Sequence, residues 1–490
     1  MKKVLIANRG EIAVRIIRAC HELGLKTVAV YAKEDEYGVH RFRADEAYQI
    51  GAGKKPIEAY LDMDDIIRVA KQTGADAVHP GYGFLAENEE FAQKCADNGI
   101  IFIGPTVRQL QLFGDKVAAK EVAVKAGLKT IPGTDEPVQS IDEVREFAHT
   151  HGYPIMIKAA MGGGGRGMRI VHDDDELDGA YDRARSEAKQ SFGDDELYVE
   201  KYLKNPKHIE VQILADQHGH VMHLFERDCS VQRRNQKVIE FAPSLALSEE
   251  RRQAICQAAV KLMESVHYQN AGTVEFLVTD EDFYFIEVNP RIQVEHTVTE
   301  LITDVDIVQS QIRIADGADL YQDLELPAQD QLKYNGYGIQ CRVTTEDPEN
   351  NFMPDTGRIE TYRSPGGMGV RLDGGNAYAG AVITPYFDSL LVKACVHGRT
   401  FKSAVRRMIR VLHEFQIRGI KTNIPFMLNV LHHPVFAAGQ AHTTFIDQTP
   451  ELFDFKHEKP DAAKQLLTYV GDVTVNGFNG VKAREQVHAA

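Results

Sequence analysis

The strongest constraint on the fold is the alternation of short β-rich runs with helical patterns along the first hundred residues. Parallel strands need long connections, usually helices, and those helices cover both faces of the sheet. The alternation therefore predicts an open parallel βαβ sheet. The predicted strands are residues 3–7, 27–31, 77–79 and 101–103, and the predicted helices are residues 11–23 and 63–73.

The remaining chain predicts an α/β protein of several units, because 490 residues exceed what one hydrophobic core supports. Further strand-like runs cover 154–159, 208–214, 220–226, 272–277, 283–289, 337–343, 357–362, 369–372 and 468–475, and further helical patterns cover 115–129 and 403–413. The expected units are an open parallel-sheet domain at 1–115, a mobile lid with a glycine loop at 116–206, a core with a metal-binding hairpin at 207–330, a mixed α+β C-terminal domain at 331–450, and a linker or the start of a following domain at 451–490.

Charge and cysteine usage disfavour several classes of partner. The formal net charge is -15, whereas nucleic acid or an anionic membrane would demand a basic face. The six cysteines form no CxxC pair, which argues against a zinc site or a disulfide framework. No signal peptide is recognisable, and no run approaches the roughly 18 apolar residues of a membrane span. We expect a soluble, cytoplasmic protein that binds neither nucleic acid nor membrane.

A glycine run follows the predicted strand that ends near Lys158. Five glycines fall within six residues, at 162–165 and 167. Without Cβ atoms, this backbone can approach an anion closely, and Lys158 can add a positive charge beside the same phosphates. The run matches neither a P-loop nor a GxGxxG motif. A mobile lid over nucleotide phosphates is the better interpretation, and a flexible surface loop is the alternative.

Two acidic residues occupy neighbouring strand-like runs. If the segment is a hairpin centred near residue 281, Glu275 and Glu287 are cross-strand neighbours about 5 Å apart at Cβ. They would share one face with Leu277 and Phe285, and Asn289 would point to the same side. Two carboxylates on a partly apolar face repel each other unless a cation neutralises them. The pattern predicts a magnesium site, with two solvated glutamates as the alternative.

The segment after this hairpin carries Arg291, Gln293 and Glu295 at alternating positions. They would face one way if the segment is extended. Donors beside a carboxylate suit a small oxyanion such as bicarbonate together with a base, although a surface salt bridge would look the same. Lys237 and Arg342 could converge on the same cleft, but spacing alone does not decide between cavity cations and ordinary strand charges.

Five motifs together resemble one protein family over residues 1–450. In chain order they are ANRGEIA at 7–13, HPGYGFL at 79–85, MGGGGRGM at 161–168, ERDCS at 226–230 and EVNPRIQVEH at 287–296. This set resembles the biotin carboxylase component of biotin-dependent carboxylases, which has an ATP-grasp fold. The tail LLTYVGDVTVNG at 466–477 resembles the stretch that follows this component in pyruvate carboxylases.

The resemblance implies a role for each matching residue. The residues that would contact ATP are Lys116, Lys158, Gly163, Gly164, Gly165, Glu200, Lys201, Leu203, His208, Gln232 and Asn235, and those that would bind magnesium or manganese are Glu275, Glu287 and Asn289. Bicarbonate would be bound by Arg291, Gln293 and the Val294 backbone, with Glu295 as the general base. Lys237 would lie near the transferring phosphate, Tyr82 in the biotin pocket and Arg342 beside the biotin enolate. Asn235 departs from the family, which usually has His there, although an amide still donates a hydrogen bond.

The implied activity is ATP-dependent carboxylation of biotin by bicarbonate. Biotin would serve as substrate or carrier and would not be attached to this chain, which has no Met-Lys-Met-type attachment sequence. The expected partners are biotin carrier and carboxyltransferase domains, on the same longer polypeptide or on separate subunits, and a second copy in a homo-oligomer. The alternatives are another ATP-grasp carboxylate ligase and a catalytically silent nucleotide-binding subunit.

Overall fold

The computed structural model describes residues 1–134, 136–159, 168–192, 195–455 and 462–477. Gly163, Gly164 and Gly165 of the predicted lid lie outside these residues. The described residues form a five-stranded parallel sheet, a three-stranded antiparallel sheet, an eight-stranded antiparallel sheet and three two-stranded sheets.

The first unit is the predicted open parallel sheet. Its elements are β1 (Lys3–Ile6), α1 (Gly10–Glu22), β2 (Lys26–Tyr31), α2 (Val39–Arg43), β3 (Glu46–Gln49), α3 (Pro56–Tyr60), α4 (Met63–Thr73), β4 (Ala77–His79), α5 (Glu89–Asp97), β5 (Ile101–Phe102), α6 (Val107–Gly114) and α7 (Lys116–Lys125). The strand order is β3-β2-β1-β4-β5, all parallel. Val4 and Ile6 enter one apolar core and Leu5 another, so helices cover both faces.

A small antiparallel sheet carries the lysine that precedes the glycine run. Its elements are α8 (Ile141–His151), β6 (Ile155–Ala159), β7 (Met168–Val171), α9 (Asp174–Phe192) and β8 (Leu197–Lys201). The strand order is β7-β6-β8. Because side chains alternate along β6, Ile155 and Ile157 enter the core while Met156 and Lys158 face a cleft.

A large antiparallel sheet forms the rest of the framework. Its first elements are β9 (Lys207–Ala215), β10 (Val221–Arg233), β11 (Gln236–Ala242), α10 (Glu249–Ser265), β12 (Asn270–Val278), β13 (Phe283–Asn289), α11 (His296–Thr303), α12 (Ile307–Ala315) and β14 (Tyr337–Thr344). β11 pairs with β14, so one sheet runs through the predicted core and C-terminal units. Residues of β9 and β12 pack against α10 in a shared apolar core.

The C-terminal part completes this sheet and adds short strand pairs. Its elements are β15 (Glu346–Asp347), β16 (Met353–Pro354), β17 (Gly357–Arg358), β18 (Thr361–Arg363), β19 (Val370–Gly374), β20 (Val382–Ile383), β21 (Leu390–Gly398), α13 (Phe401–Glu414), β22 (Gln416–Arg418), α14 (Ile424–His432) and α15 (Pro434–Ala437). The eight strands run in the order β13-β12-β9-β10-β11-β14-β21-β19. The single strand predicted at 357–362 is wrong, since β17 and β18 belong to different pairs.

The predicted strand at 468–475 is also wrong, because this segment lies within helix α16 (Ala462–Asn476). Its β-branched residues suggested a strand, but β propensity depends strongly on context and a strand needs a partner edge. A helix satisfies its backbone hydrogen bonds internally. Every helix that the structure describes is too short or too polar to cross a membrane.

Candidate active site

One cleft of about 1190 Å³ gathers most of the predicted site residues. It is bordered by the small sheet, the face of the large sheet and the loops of the parallel sheet. The predicted residues along it are Tyr82, Lys158, Glu200, Lys201, Leu203, His208, Gln232, Asn235, Lys237, Glu275, Glu287, Asn289, Arg291, Gln293, Val294, Glu295 and Arg342. Lys116 does not line it. That lysine begins α7 beside the cleft and is exposed.

The predicted pairing of Glu275 with Glu287 is confirmed by the register of β12 and β13. The pairing shifts immediately afterwards, because Phe276 pairs with Phe285 and leaves Ile286 as an extra residue. This bulge turns Phe285 into the apolar core and Ile286 toward the cleft. The expectation that Phe285 shares the face of the glutamates is therefore wrong.

Glu275 is buried and surrounded by donors. It accepts hydrogen bonds from Asn289 Nδ2 at 2.8 Å and Gln293 Nε2 at 2.7 Å, and lies 2.6 Å from His208 Nε2 and 3.0 Å from Lys237 Nζ. Burial opposes ionisation, but Lys237 and His208 outweigh it and hold the pKa of Glu275 well below its usual value. Glu275 is thus held as a carboxylate.

The pKa of Glu287 is shifted in the opposite direction to that of Glu275. Burial and the neighbouring charge of Glu275 raise the pKa of Glu287, and Lys116, Lys237 and His208 offset this only in part. A divalent cation between the two carboxylates would relieve their repulsion, and oxygen donors are what magnesium prefers. The Asn289 side-chain oxygen accepts from Arg291 Nη2 at 2.9 Å, so its use as a third ligand requires Arg291 to move.

Lys237 is the centre of a set of charges that we call the cleft floor: Glu210, Lys237, Glu275, Glu295 and Arg342. Its ammonium group lies 2.5 Å from Glu210 Oε2, 2.7 Å from Glu295 Oε1 and 3.0 Å from Glu275 Oε1. Burial disfavours the cation, yet these three carboxylates raise the pKa of Lys237 well above its usual value. The floor thus holds a fixed ammonium beside the acidic hairpin.

Glu295 and Arg342 form the other end of the floor. Arg342 Nη2 donates to Glu295 Oε2 at 2.9 Å and Arg342 Nε donates to Glu240 at 2.5 Å. Burial opposes ionisation of Glu295, but Lys237, Arg342 and the buried Arg227 together hold its pKa below the usual value. Both oxygens of the predicted base are therefore paired with cations.

The segment of Arg291, Gln293 and Glu295 is a turn that leads into α11 and not an extended strand. All three side chains nevertheless line the cleft, as does Val294. Arg291 Nε lies 3.3 Å from Glu87, and Gln293 Oε1 accepts from Arg227 at 2.8 Å. The turn therefore presents donors next to the carboxylate of Glu295.

A second set of residues along the cleft has fewer charged partners, and we call it the outer wall: Lys158, Glu200, Lys201, Leu203 and Asn235. Lys158 pairs with Glu200, and Lys201 Nζ donates to the carbonyl of Gly152 at 2.8 Å. Asn235 has a φ of +63°, in a two-residue turn between paired Arg233 and Gln236. Asn tolerates this left-handed conformation well, which suits it to the turn.

Two further polar side chains of the cleft contact the floor. Gln232 Nε2 lies 2.9 Å from His208 Nδ1, and His208 Nε2 in turn faces Glu275. A single chain of contacts therefore links two predicted nucleotide-binding residues to the acidic hairpin.

Three buried residues of the site escaped sequence reasoning. Arg227 is fully buried and donates to Glu210, Gln212, Thr299, Thr273 and Gln293. Glu210 and Glu240 are also fully buried and hold Lys237 and Arg342. For Glu210 and Glu240 the available signal was a charged residue between apolar neighbours in a strand, since a buried charge must be paired. Arg227 stands between Glu226 and Asp228 and gives no such signal.

Family models match the chain in three consecutive stretches. Those described as "Biotin carboxylase, N-terminal domain", "Carbamoyl-phosphate synthase L chain, ATP binding domain" and "Biotin carboxylase C-terminal domain" match residues 1–110, 115–323 and 340–448. Together they span the parallel sheet, the cleft and the C-terminal strands.

Curated relatives are longer than this chain. A pyruvate carboxylase of Bacillus subtilis is 60% identical over 487 residues, covering 99% of this chain and 42% of the relative. The human mitochondrial pyruvate carboxylase is 55% identical over 478 residues, covering 97% of this chain and 40% of the relative. The chain thus spans about two fifths of the length of these proteins.

A solved structure matches nearly end to end. It is the biotin carboxylase domain dimer of the Hydrogenobacter thermophilus 2-oxoglutarate carboxylase, in complex with MgADP, ADP and bicarbonate. The TM-score is 0.83 and the identity 47%, over 93% of this chain and 99% of that one. Since the three family models together match residues 1–110, 115–323 and 340–448, and this solved biotin carboxylase domain is 47% identical with 99% of its length covered, the chain belongs to the biotin carboxylase family, as its five motifs indicated.

Proposed function

We propose that this chain uses ATP and magnesium to carboxylate biotin with bicarbonate. The single observation that carries the proposal is the cleft floor, where the acidic hairpin, the ammonium of Lys237 and the Glu295–Arg342 pair meet. Phosphoryl transfer needs positioned positive charge and little covalent chemistry from the protein, and Lys237 and Arg342 are positive charges that this arrangement holds in place. The MgADP and bicarbonate bound to the solved relative support the same assignment.

Glu275 and Glu287 would hold the metal, with Asn289 as a further oxygen donor. The metal would neutralise charge on the nucleotide phosphates. Lys116 and Lys158 would contact those phosphates, Glu200, Lys201 and Leu203 would hold adenine, and His208, Gln232 and Asn235 would make further nucleotide contacts. Gly163, Gly164 and Gly165, which lie outside the described residues, would contribute backbone N–H groups to the same phosphates.

Bicarbonate would lie between Arg291, Gln293 and the Val294 backbone, where Glu295 removes its proton. Lys237 and Arg342 each pair with one oxygen of Glu295 and keep it a weak base. Bound anions would draw these cations away and so raise the basicity of Glu295 when substrate is present. The bicarbonate oxygen would then attack the γ-phosphate of ATP to give carboxyphosphate and ADP.

The second step would carboxylate biotin in a pocket that includes Tyr82. Carboxyphosphate would break down to CO2 and phosphate, and the phosphate would take the N1′ proton of biotin. Arg342 would stabilise the resulting enolate, which attacks CO2. This role is supported by its position beside Glu295, because both steps then occur in one water-excluding site.

We further propose that the chain is the biotin carboxylase part of a pyruvate carboxylase. The 55–60% identity to pyruvate carboxylases supports this. The partners would then be biotin carrier and carboxyltransferase domains, and the dimer of the solved relative supports a homo-oligomer. A cytoplasmic location is supported by six free, buried cysteines. We propose the unit boundaries 1–115, 116–206, 207–330, 331–450 and 451–490.

The test is ADP release from ATP with and without bicarbonate and free biotin. We expect release to require bicarbonate and to be accompanied by carboxybiotin when biotin is added. Stimulation by an organic acid in place of bicarbonate would instead indicate a different ATP-grasp ligase. Absence of ATP cleavage with tight nucleotide binding would indicate a silent subunit.

A further inference from the structure

A lysine with no solvent exposure lies behind the cleft. Lys393 is on β21, where it pairs across the sheet with Arg342 on one side and Asp373 on the other. It does not line the cleft itself. A buried ammonium is unfavourable unless it is paired and hydrogen-bonded, so its partners indicate what it does.

The partners of Lys393 come from two distant segments of the chain. Its Nζ atom lies 2.6 Å from Glu11 Oε1, in the first turn of α1, and donates to the backbone oxygen of Val294 at 3.1 Å. Asp373 is farther away, at 3.9 Å. One ammonium group thus ties the start of α1 to the turn that carries Glu295.

Glu11 extends this connection to the predicted biotin pocket. Its second oxygen accepts a hydrogen bond from the hydroxyl of Tyr82, and both residues line the cleft. Burial raises the pKa of Glu11, and Lys393 is the largest influence that opposes the shift. Lys393 therefore helps to keep a carboxylate at the position where Tyr82 needs an acceptor.

We propose that Lys393 is a positioning residue that holds two parts of the active site in register. Through the Val294 carbonyl it fixes the turn that presents Glu295, and through Glu11 it fixes the ring of Tyr82. The inference rests on the proposed function, because it assigns Lys393 to the bicarbonate and biotin sites. The outer wall is not part of this connection, so ATP binding is independent of it.

The test separates positioning from simple stabilisation. Lys393→Met alone leaves Glu11 buried without its cation, which lowers stability whatever the catalytic role. The double variant Glu11→Gln/Lys393→Met removes both charges, and an amide can still accept from Tyr82. Arg252→Met is the matched control, since it breaks the buried Arg252–Glu226 pair away from the cleft.

The measurements for each protein are the thermal midpoint of unfolding, the KM for ATP, bicarbonate-dependent ADP release and free-biotin carboxylation. We expect the double variant to regain thermal stability relative to Lys393→Met. Its kcat for both reactions should remain about ten- to a hundredfold below that of the wild type, because the loss of a residue that orients a reacting group typically lowers activity by this much. The KM for ATP should be unchanged. Arg252→Met should lose stability at unchanged kcat.

Recovery of kcat together with stability in the double variant would overturn the inference and make Lys393 purely structural. An equal loss of kcat in Arg252→Met would overturn it as well. Either result, obtained with an active wild type, leaves the proposed function intact. An inactive wild type would contradict the proposed function itself.

Discussion

The cleft floor and the outer wall face the same cavity but are built differently. On the floor, the side chains of Glu210, Glu295 and Lys237 are 0%, 2% and 14% exposed, and each is held by several charged partners. On the wall, Lys158 and Glu200 are 32% and 34% exposed and pair with each other. The difference indicates that the floor is preorganised for chemistry, whereas the wall can adapt to a nucleotide that enters and leaves.

The sharpest test of a preorganised floor is a substitution of Glu295, the proposed base. Glu295→Gln should lower kcat for bicarbonate-dependent ADP release by about 100- to 10,000-fold, because a positioned base contributes this much. Nucleotide binding, measured by calorimetry with ADP, should change little, since Glu295 is not one of the residues proposed to contact the nucleotide. Undiminished ADP release would refute its role as base.

A substitution of Arg342 should affect biotin carboxylation and bicarbonate-dependent ADP release to different degrees. Arg342→Ala should lower free-biotin carboxylation by about a hundredfold, as for loss of a cation that stabilises a developing anion. Bicarbonate-dependent ADP release should fall much less, because Lys237 still faces Glu295. The ratio of the two rates is the measurement, and an equal loss of both would contradict the enolate assignment.

Metal binding by the acidic hairpin should depend on pH. Because the pKa of Glu287 is raised, its carboxylate is lost at a higher pH than for an ordinary glutamate, and metal affinity should weaken as pH falls through that range. Glu287→Gln should raise the magnesium concentration for half-maximal activity by about tenfold.

Magnesium titrations at several pH values check this prediction. In Glu287→Gln, the part of the pH dependence that Glu287 causes should disappear. An identical pH dependence in wild type and variant would exclude Glu287 as a metal ligand. Lys129→Met is a suitable control, because it breaks an exposed ion pair with Asp282 at the far end of the same hairpin.

The smallest effect should come from the outer wall. Glu200→Gln removes the charge of a partly exposed pair, and such pairs contribute 0 to about 1 kcal/mol. The KM for ATP should therefore change by less than about fivefold, with kcat unchanged. A large fall in kcat would mean that the wall is as preorganised as the floor, and the comparison would fail.

Local signals made part of this site predictable. Glu275 and Glu287 lie in one hairpin, so strand pairing and a short connection sufficed to predict that they meet. The position of Phe285 was wrong because a bulge after Glu275 shifts the register, and no residue in the run marks that bulge. The strand predicted at 468–475 was wrong because β-branched composition does not reveal whether a partner strand exists.

By itself, the sequence determined the parallel sheet, the acidic hairpin and the family, since these depend on periodicity, short-range pairing and motif order. Only the tertiary structure decided which charges neutralise which. Glu11 lies far from Lys393 in the chain, as Glu240 does from Arg342, and neither pair can be recognised until the sheets bring the partners within hydrogen-bonding distance. The physical reason is that a buried charge is stabilised by its neighbours in space, which local sequence patterns do not specify.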